Sequence, residues 1–424
     1  MIATQVLVDE NVGRVSLHDA RAAMLAAAAP LPSEEILLAA ARDRTPARTI
    51  RADDDLIPFA RSAMDGYAVS SADTVHAART PLALRVRGAI YAGDLPGTLP
   101  PGTATAISTG APLPFGADAV VAWEDVTVHG DAIVLRRPVA ALAHVFPPGD
   151  DARRGDEILR AGELLTPGRG GMLAAAGVDR VAVHRRPRVG IVCTGDELVD
   201  AGTRPQPGQV RNSNATMLAL QAEADGAVVV MVAHAGDTDG ALRETLRKAI
   251  ATCDLVVTTG GASRGERDLV KGVLASLGAR FAFTSVAMRP GKPTAFARTL
   301  GALVAVLPGN PAAAFVAYAT LVRGVVRRLG GRSDCVPPRV RALVEGSLHG
   351  KRDRDFLMFG ALRHDGAHFV VRPLENQCSS LVRTSVDANA LIAVPPGEAT
   401  FTTGSQVDVE VLDWTRVAFG GAAA

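Results

Sequence analysis

The stretch DLVVTTGGASRGERDLVKGVLASLG, residues 254–278, decides the fold. An apolar run, a glycine-rich loop and an apolar pattern at helical spacing follow one another, which predicts strand, loop and helix. The successive glycines Gly260 and Gly261 let the backbone approach a ligand closely. Ser263, free N–H groups and the following helix N-terminus together suit an anion. Asp268 sits beside that loop, where a carboxylate makes chemical sense mainly as a metal ligand. Further along, RPGKP at 289–293 and PGNP at 308–311 also adjoin apolar runs. Three Gly/Pro loops are thus expected to converge on one edge of a sheet, where open α/β sheets bind ligands. The spacing matches neither GxGxxG nor GxxxxGK[ST], so this loop is not one of the usual nucleotide cradles.

The pattern extends outward on both sides. RVGIVC, AVVVMV, DLVVTT, FAFTSV and ALVAVL read as largely buried strands, with helices at 213–225, 239–252, 268–278 and 311–328. Alternation of this kind predicts a parallel α/β domain, placed at 184–331. Glu197 follows the first of these strands, Asp237 the second, and Asp268 closes the loop after the third. Singly, Asp237 and Asp268 read as helix caps. Gathered at one edge they repel, and are expected to hold Mg²⁺ or to face a cationic or donor-bearing ligand. Arg264, Arg267, Arg289 and Lys292 supply the opposite sign, which suits an anionic substrate.

Around this domain the character of the chain changes. Residues 16–48 look helical in two stretches, with Ser16 and Asp19 as a capping box before the first and SEEILLAAARD forming the second. Short apolar or alternating runs separated by Gly and Pro predict a β-module at 50–145. Helix returns in TPGRGGMLAAAG, with Thr166 as N-cap, Pro167 in the first turn and Gly177 as the stop. The expectation is an elongated helical domain at 1–49 and 146–183 interrupted by the β-module. After Pro337-Pro338, alternating runs predict a separate β-domain at 336–414.

Composition bounds the partners. A chain of 424 residues with 48% hydrophobic and 21% charged residues has the make-up of a globular protein of several domains. Net charge of +1 argues against wholesale binding to nucleic acid or acidic membrane. No signal-peptide pattern or membrane-length apolar run is evident, so the expected location is the cytoplasm. Cys193, Cys253, Cys335 and Cys378 lie far apart and are expected to be buried thiols. The histidines are scattered without HxH or HExxH spacing, which disfavours a zinc hydrolase.

Two more motifs stand out, RSAMDGYAV at 61–69 and ISTGAPLPFGADAVV at 107–121. Together with RRGDEIL, RVGIVCTGDEL, TTGGASRGERD, RPGKPTAFA, LPGNPAAAF and CSSLVRTSVDANALIAVP they resemble, in order and spacing over about 16–413, the molybdopterin molybdenumtransferases, bacterial relatives of the gephyrin E-domain. The resemblance implies four parts: an elongated helical domain, an inserted β-domain, a molybdopterin-binding α/β domain and a β-barrel-like C-terminal domain. It implies a homodimer that inserts molybdate into adenylylated molybdopterin, with Mg²⁺-dependent release of AMP and possible contact with the molybdopterin adenylyltransferase. Asp65 and Thr109 match functional positions of its SAMDGYA and TGAP motifs. Glu197, Asp237 and Asp268 match its acidic positions, Asp237 and Asp268 for metal. Arg289 and Lys292 match its basic loop, Pro308 and Pro311 its PGNP loop, and Ser379 a serine of its last domain. An active site shared between two subunits would join Asp65 of one chain to Asp268 of the other.

Several positions depart from the family pattern. Arg289 stands where KPGKP has lysine, Glu157 where an aspartate is typical, Arg61 where an asparagine precedes SAMDGYA, and GGASRGERD where GGVSVGEAD is usual. None removes an essential chemical type, although guanidinium and ammonium differ in geometry and hydration. The alternatives are the related molybdopterin adenylyltransferase, which shares only the α/β domain, and a non-catalytic pterin-binding scaffold.

Overall fold

The computed structural model describes residues 13–261, 269–351, 353–397 and 399–420. They form two compact units, one from the described parts of 1–48, 161–165 and 181–424, the other from 49–160 and 166–180. Helix α1 (Leu17–Ala27) opens the first. Ser16 caps it, its Oγ accepting the Asp19 N–H at 3.0 Å and donating to the Asp19 carboxylate at 2.7 Å. Leu17, Ala20 and Met24, at helical spacing, bury one face. The second helix expected in SEEILLAAARD does not form. Strand β1 (Ser33–Leu37) pairs there with residues 180–184, and a single 3₁₀ turn covers Leu38–Ala40. Pro30 and Pro32 hold the approach extended, and the stretch has no fully buried face to reward a helix.

The second unit is built on six strands: β2 (Gly66–Val69), β3 (Leu82–Ile90), β4 (Thr103–Ile107), β5 (Ala119–Ala122), β6 (Thr127–His129) and β7 (Ala132–Leu135). Their order is β5-β2-β4-β3-β7-β6, all neighbours antiparallel except β3 and β4. Gly66 lies between two neighbours, and a Cβ there would fall 2.1 Å from the Val121 carbonyl oxygen, so no other residue fits. Helix α2 (Pro167–Ala175) begins with Pro167 and ends before Gly177 at φ 78°, as its sequence signals predict.

After β8 (Arg180–His184) comes the α/β part of the first unit: β9 (Arg188–Thr194), α3 (Ser213–Ala224), β10 (Val228–Ala235), α4 (Asp239–Thr252), β11 (Leu255–Thr259), α5 (Val270–Ser276), β12 (Arg280–Phe283), β13 (Ala295–Arg298) and β14 (Leu303–Leu307). The sheet order is β10-β9-β11-β14-β13-β12. The first four strands run parallel. β13, from a stretch not expected to be a strand, returns antiparallel to β14, and FAFTSV supplies β12 antiparallel to β13. The connection between β12 and β13 is too short for the helical crossover that parallel neighbours need.

The helix expected over 311–328 is divided into α6 (Pro311–Ala317), a π turn at Tyr318–Val322 and α7 (Arg323–Leu329). At that turn Arg21 of α1 donates Nε–H to the Thr320 carbonyl at 2.9 Å and pairs with Glu410, whose side chain is 1% exposed. Glu410 belongs to a closed five-stranded barrel of β15 (Arg339–Val344), β16 (Asp355–His364), β17 (Phe369–Pro373), β18 (Ala390–Val394) and β19 (Gln406–Val411), sealed by β16–β18 pairing. One continuous core joins Met24 of α1, Ile191 and Val257 of the sheet, Val316 of α6 and Phe359 of the barrel.

The cysteines are free thiols; Cys193, Cys253 and Cys335 are buried, whereas Cys378, expected inside, is exposed on the segment after the barrel's third strand. Burial pushes the Cys193 thiol up to about 11. At pH 8, thiol titration of the native protein is expected to find Cys378 alone reactive, and all four cysteines after denaturation. Arg21→Met is expected to destabilise the fold by about 3 kcal/mol in chemical denaturation, because it strips a buried carboxylate of one of its two arginines.

Candidate active site at the switch point of the sheet

From β9 the chain steps to one side to form β10, then to the other side of β9 to form β11. Connections leave a sheet in opposite directions at such a point, and the crevice at the strands' carboxyl ends is the place for a ligand. A cavity of about 900 Å³ lies there. The end of β9 and the loop after it contribute Thr194, Gly195 and Glu197; the loop after β10, Asp237; the loop after β11, Gly260 and Gly261; the loop after β14, Pro308 to Pro311. Asn214 at the start of α3, Pro293, and Ser380 and Val382 beyond the barrel's third strand add to the wall.

Glycine makes this meeting of loops possible. Gly260 has φ 93°, and a Cβ on it would lie 2.3 Å from the Thr194 carbonyl oxygen. A Cβ on Gly309 would come within 3.4 Å of the Gly260 Cα, so the first and third Gly/Pro loops touch backbone to backbone.

Asn214 ties the loops together. Its Nδ2 donates to Thr259 Oγ1 at 2.9 Å and to the Gly309 carbonyl at 2.8 Å, and Thr259 Oγ1 donates onward to the Pro308 carbonyl at 2.8 Å. Sequence reasoning missed Asn214. Its one signal is a polar residue just inside a helix start, which ordinarily reads as a cap, yet here Asn212 is the cap, accepting the Ala215 N–H.

The acidic loops are also cross-linked. Asp237 N–H donates to Asp196 Oδ1 at 3.0 Å, and Asp196 N–H to Asp237 Oδ2 at 3.4 Å. This reciprocal pair fixes the second and first loops relative to each other, and leaves Asp237 partly buried at the cavity edge with Glu197 exposed beside it. Magnesium takes one or two protein carboxylates and fills its remaining positions with phosphate oxygens and water. Asp237 and Glu197, hard oxygen donors on one wall, fit that requirement, although the described residues hold no cluster of three potential ligands.

The residues singled out in the sequence fall into four sets. Glu197, Asp237, Gly260, Gly261, Pro308 and Pro311 line the cavity together. Arg289, Lys292 and Ser379 are not among its lining residues. Lys292 is exposed, next to the lining residue Pro293. Arg289 lays its guanidinium 5.3 Å from the centre of the Phe356 ring, and the Ser379 carbonyl accepts the Ala312 N–H of α6 at 3.0 Å. Asp65 and Thr109 meet each other in the second unit. The Thr109 N–H donates to Asp65 Oδ1 at 2.8 Å and its hydroxyl to the same oxygen at 3.2 Å, joining the SAMDGYA and TGAP motifs. Ser263, Arg264, Arg267 and Asp268 lie outside the described residues.

Comparison with known proteins adds the family. The MoeA N-terminal region (domain I and II) matches residues 15–177, a probable molybdopterin binding domain matches 190–328, and the MoeA C-terminal region (domain IV) matches 341–412. The molybdopterin molybdenumtransferase of Nostoc sp. is 36% identical over 382 residues, covering 88% of each chain. Molybdopterin molybdenumtransferase 2 of Mycobacterium tuberculosis is 35% identical over 359 residues, 83% of this chain and 88% of that one. The chain belongs to the molybdopterin molybdenumtransferase family. Among solved structures, the molybdopterin biosynthesis MoeA protein of Pyrococcus horikoshii superposes with a TM-score of 0.83 at 25% identity, over 94% of this chain and 100% of that one. This family member keeps the multidomain architecture expected from its motifs.

Gly260→Ala tests the loop geometry. Strain at φ 93° and the clash with the Thr194 carbonyl are expected to cost more than about 1 kcal/mol and to lower the thermal midpoint, read by calorimetry.

Proposed function

We propose that the protein inserts molybdate into adenylylated molybdopterin, with Mg²⁺-dependent release of AMP, to give the molybdenum cofactor. The observation that carries this reading is the cavity at the switch point. Carboxylates of Glu197 and Asp237 border one part of it, and backbone-rich Gly/Pro loops border another. A pyrophosphate link needs both a cation on its oxygens and N–H donors where charge develops as the link breaks.

In this reading Asp237, with Asp268, holds Mg²⁺, and Glu197 supports that pair. Magnesium, when bound, neutralises charge on the phosphate oxygens of the scissile link. Gly260, Gly261 and Ser263 bring N–H and hydroxyl donors to the phosphate, while Pro308 and Pro311 shape the wall that receives the pterin. Lys292 and Arg289, with Ser379, attract molybdate, a dianion. Asp65 and Thr109 act as a pair, a carboxylate held by a hydroxyl and an N–H. We place the protein as a homodimer in which this pair serves the partner copy's cavity. It works in the cytoplasm and takes its substrate from the molybdopterin adenylyltransferase. No helix among the described residues is long and apolar enough to cross a membrane.

Molybdate-dependent AMP release, followed by chromatography with saturating Mg²⁺, tests the reading. Asp237→Asn and Asp268→Asn, which remove charge at nearly constant shape, are each expected to lower the rate about a hundredfold or more. Undiminished release in both variants would remove the metal assignment. Lys292→Ala is expected to raise the molybdate concentration for half-maximal rate while leaving pterin affinity unchanged. For the dimer, tagged Asp65→Ala and Asp268→Ala chains are coexpressed and the heterodimer isolated. About half the wild-type activity should return, since one of its two sites carries both changes and the other neither.

A further inference from the structure

The hydrogen-bond chain through Asn214 has a direction that the atoms themselves impose. The carbonyls of Pro308 and Gly309 can only accept. Thr259 therefore spends its single hydroxyl proton on Pro308 and must accept from Asn214, whose two amide protons go to Thr259 and Gly309. The Asn214 side chain is left with Oδ1, an acceptor and nothing else. That oxygen is buried and has no partner among the described residues. A second cavity-lining residue, Thr194, is in the same condition: the side chain is buried and its Oγ1 has no partner. A buried polar atom without a partner opposes folding by the water it has lost, so two on the wall of one cavity need a cause.

We propose that Thr194 and Asn214 form a hydrogen-bonding subsite that reads the N–H-bearing edge of a fused aminopyrimidine heterocycle. The inference rests on the proposed function, which brings two such rings to the cavity, the pterin and the adenine of the adenylyl group. Asn214 Oδ1 takes an N–H from the ring. The Thr194 hydroxyl, able to donate and to accept, answers the neighbouring ring atom. The subsite sets specificity and orientation and takes no part in bond breaking. Its polar atoms stay unsatisfied in the free protein because satisfying them internally would erase the readout.

Removing the Thr194 hydroxyl separates this role from a structural one. In Thr194→Val the shape stays and an unpaired polar atom goes, so the thermal midpoint is expected to hold or rise. Binding of one of two probes, AMP or 6-hydroxymethylpterin, titrated separately by calorimetry, is expected to weaken about three- to tenfold, with a matching rise in KM for adenylylated molybdopterin. The probe that weakens identifies the ring. Asn214→Ala is expected to weaken the same probe while lowering the midpoint, because it also cuts the loop clamp. Thr258→Val is the control: Thr258 Oγ1 is likewise buried and unpartnered, but the residue does not line the cavity, and both affinities should stay unchanged. A lowered midpoint in Thr194→Val with both affinities intact would overturn the subsite, as would equal weakening by Thr194→Val and Thr258→Val. Wild-type protein that turns over while Thr194→Val keeps wild-type affinities and KM overturns the subsite alone. Wild-type protein that neither reacts nor binds either probe overturns the subsite and the proposed function together.

Discussion

The cavity depends on one chain of hydrogen bonds that can run in only one direction, from the Asn214 amide through the Thr259 hydroxyl to the carbonyl of Pro308. Each donor is fixed by an acceptor that has no proton to offer, so the side chains cannot flip or exchange roles. The chain links the start of α3, the end of β11 and the loop after β14, three elements remote in sequence. Cut at Asn214, the loops would keep their glycines but lose their common anchor. The close approach of Gly260 to the Thr194 carbonyl belongs to the same constraint, since a Cβ on Gly260 would fall 2.3 Å from that oxygen.

A second constraint ties the α/β sheet to its surroundings. Arg21 reaches from α1 to a carbonyl of the π turn and to Glu410 of the barrel, a carboxylate that Arg339 also grips. A π turn widens a helix and turns its carbonyls away from their usual partners, which makes Thr320 an acceptor for a foreign guanidinium. The ion pair is set within a core shared by α1, sheet and barrel. Burial makes such a pair sensitive to the loss of either partner, because the charge left behind has no water to turn to. Ser380 and Val382, which follow the third barrel strand, are thereby carried to a cavity that the α/β sheet creates.

Charge is arranged in the same spirit. Asp196 and Asp237 face one another, and each accepts the other's backbone N–H, so two like charges are held near each other by donors rather than by a cation. That leaves part of the acceptor capacity of both carboxylates for a ligand. Asp65 is treated alike in the second unit, where one oxygen receives both donors of Thr109.

Sequence alone determined the order of elements around DLVVTTGG, the strands of the parallel set, the helix starts at Ser16 and Pro167, and the cavity-lining places of Glu197, Asp237, Gly260 and Pro308. All of these follow from local chemistry: apolar periodicity, a hydroxyl before a helix, a glycine where φ is positive. Where sequence misled, long-range contact outweighed local preference. SEEILLAAARD has the composition of a helix, but pairing with residues 180–184 satisfies its backbone as a strand. FAFTSV looks like any buried strand of the parallel set, and only the reversed strand β13, set between it and β14, gives it an antiparallel neighbour. Cys378 looks like its three buried counterparts, and only its place on the surface makes it exposed. The role of Asn214 and Thr194 is not written in their sequence, because what marks them is the partner that Asn214 Oδ1 and Thr194 Oγ1 lack among the described residues. A missing partner is a property of everything packed around an atom, and that is decided only when the chain has folded.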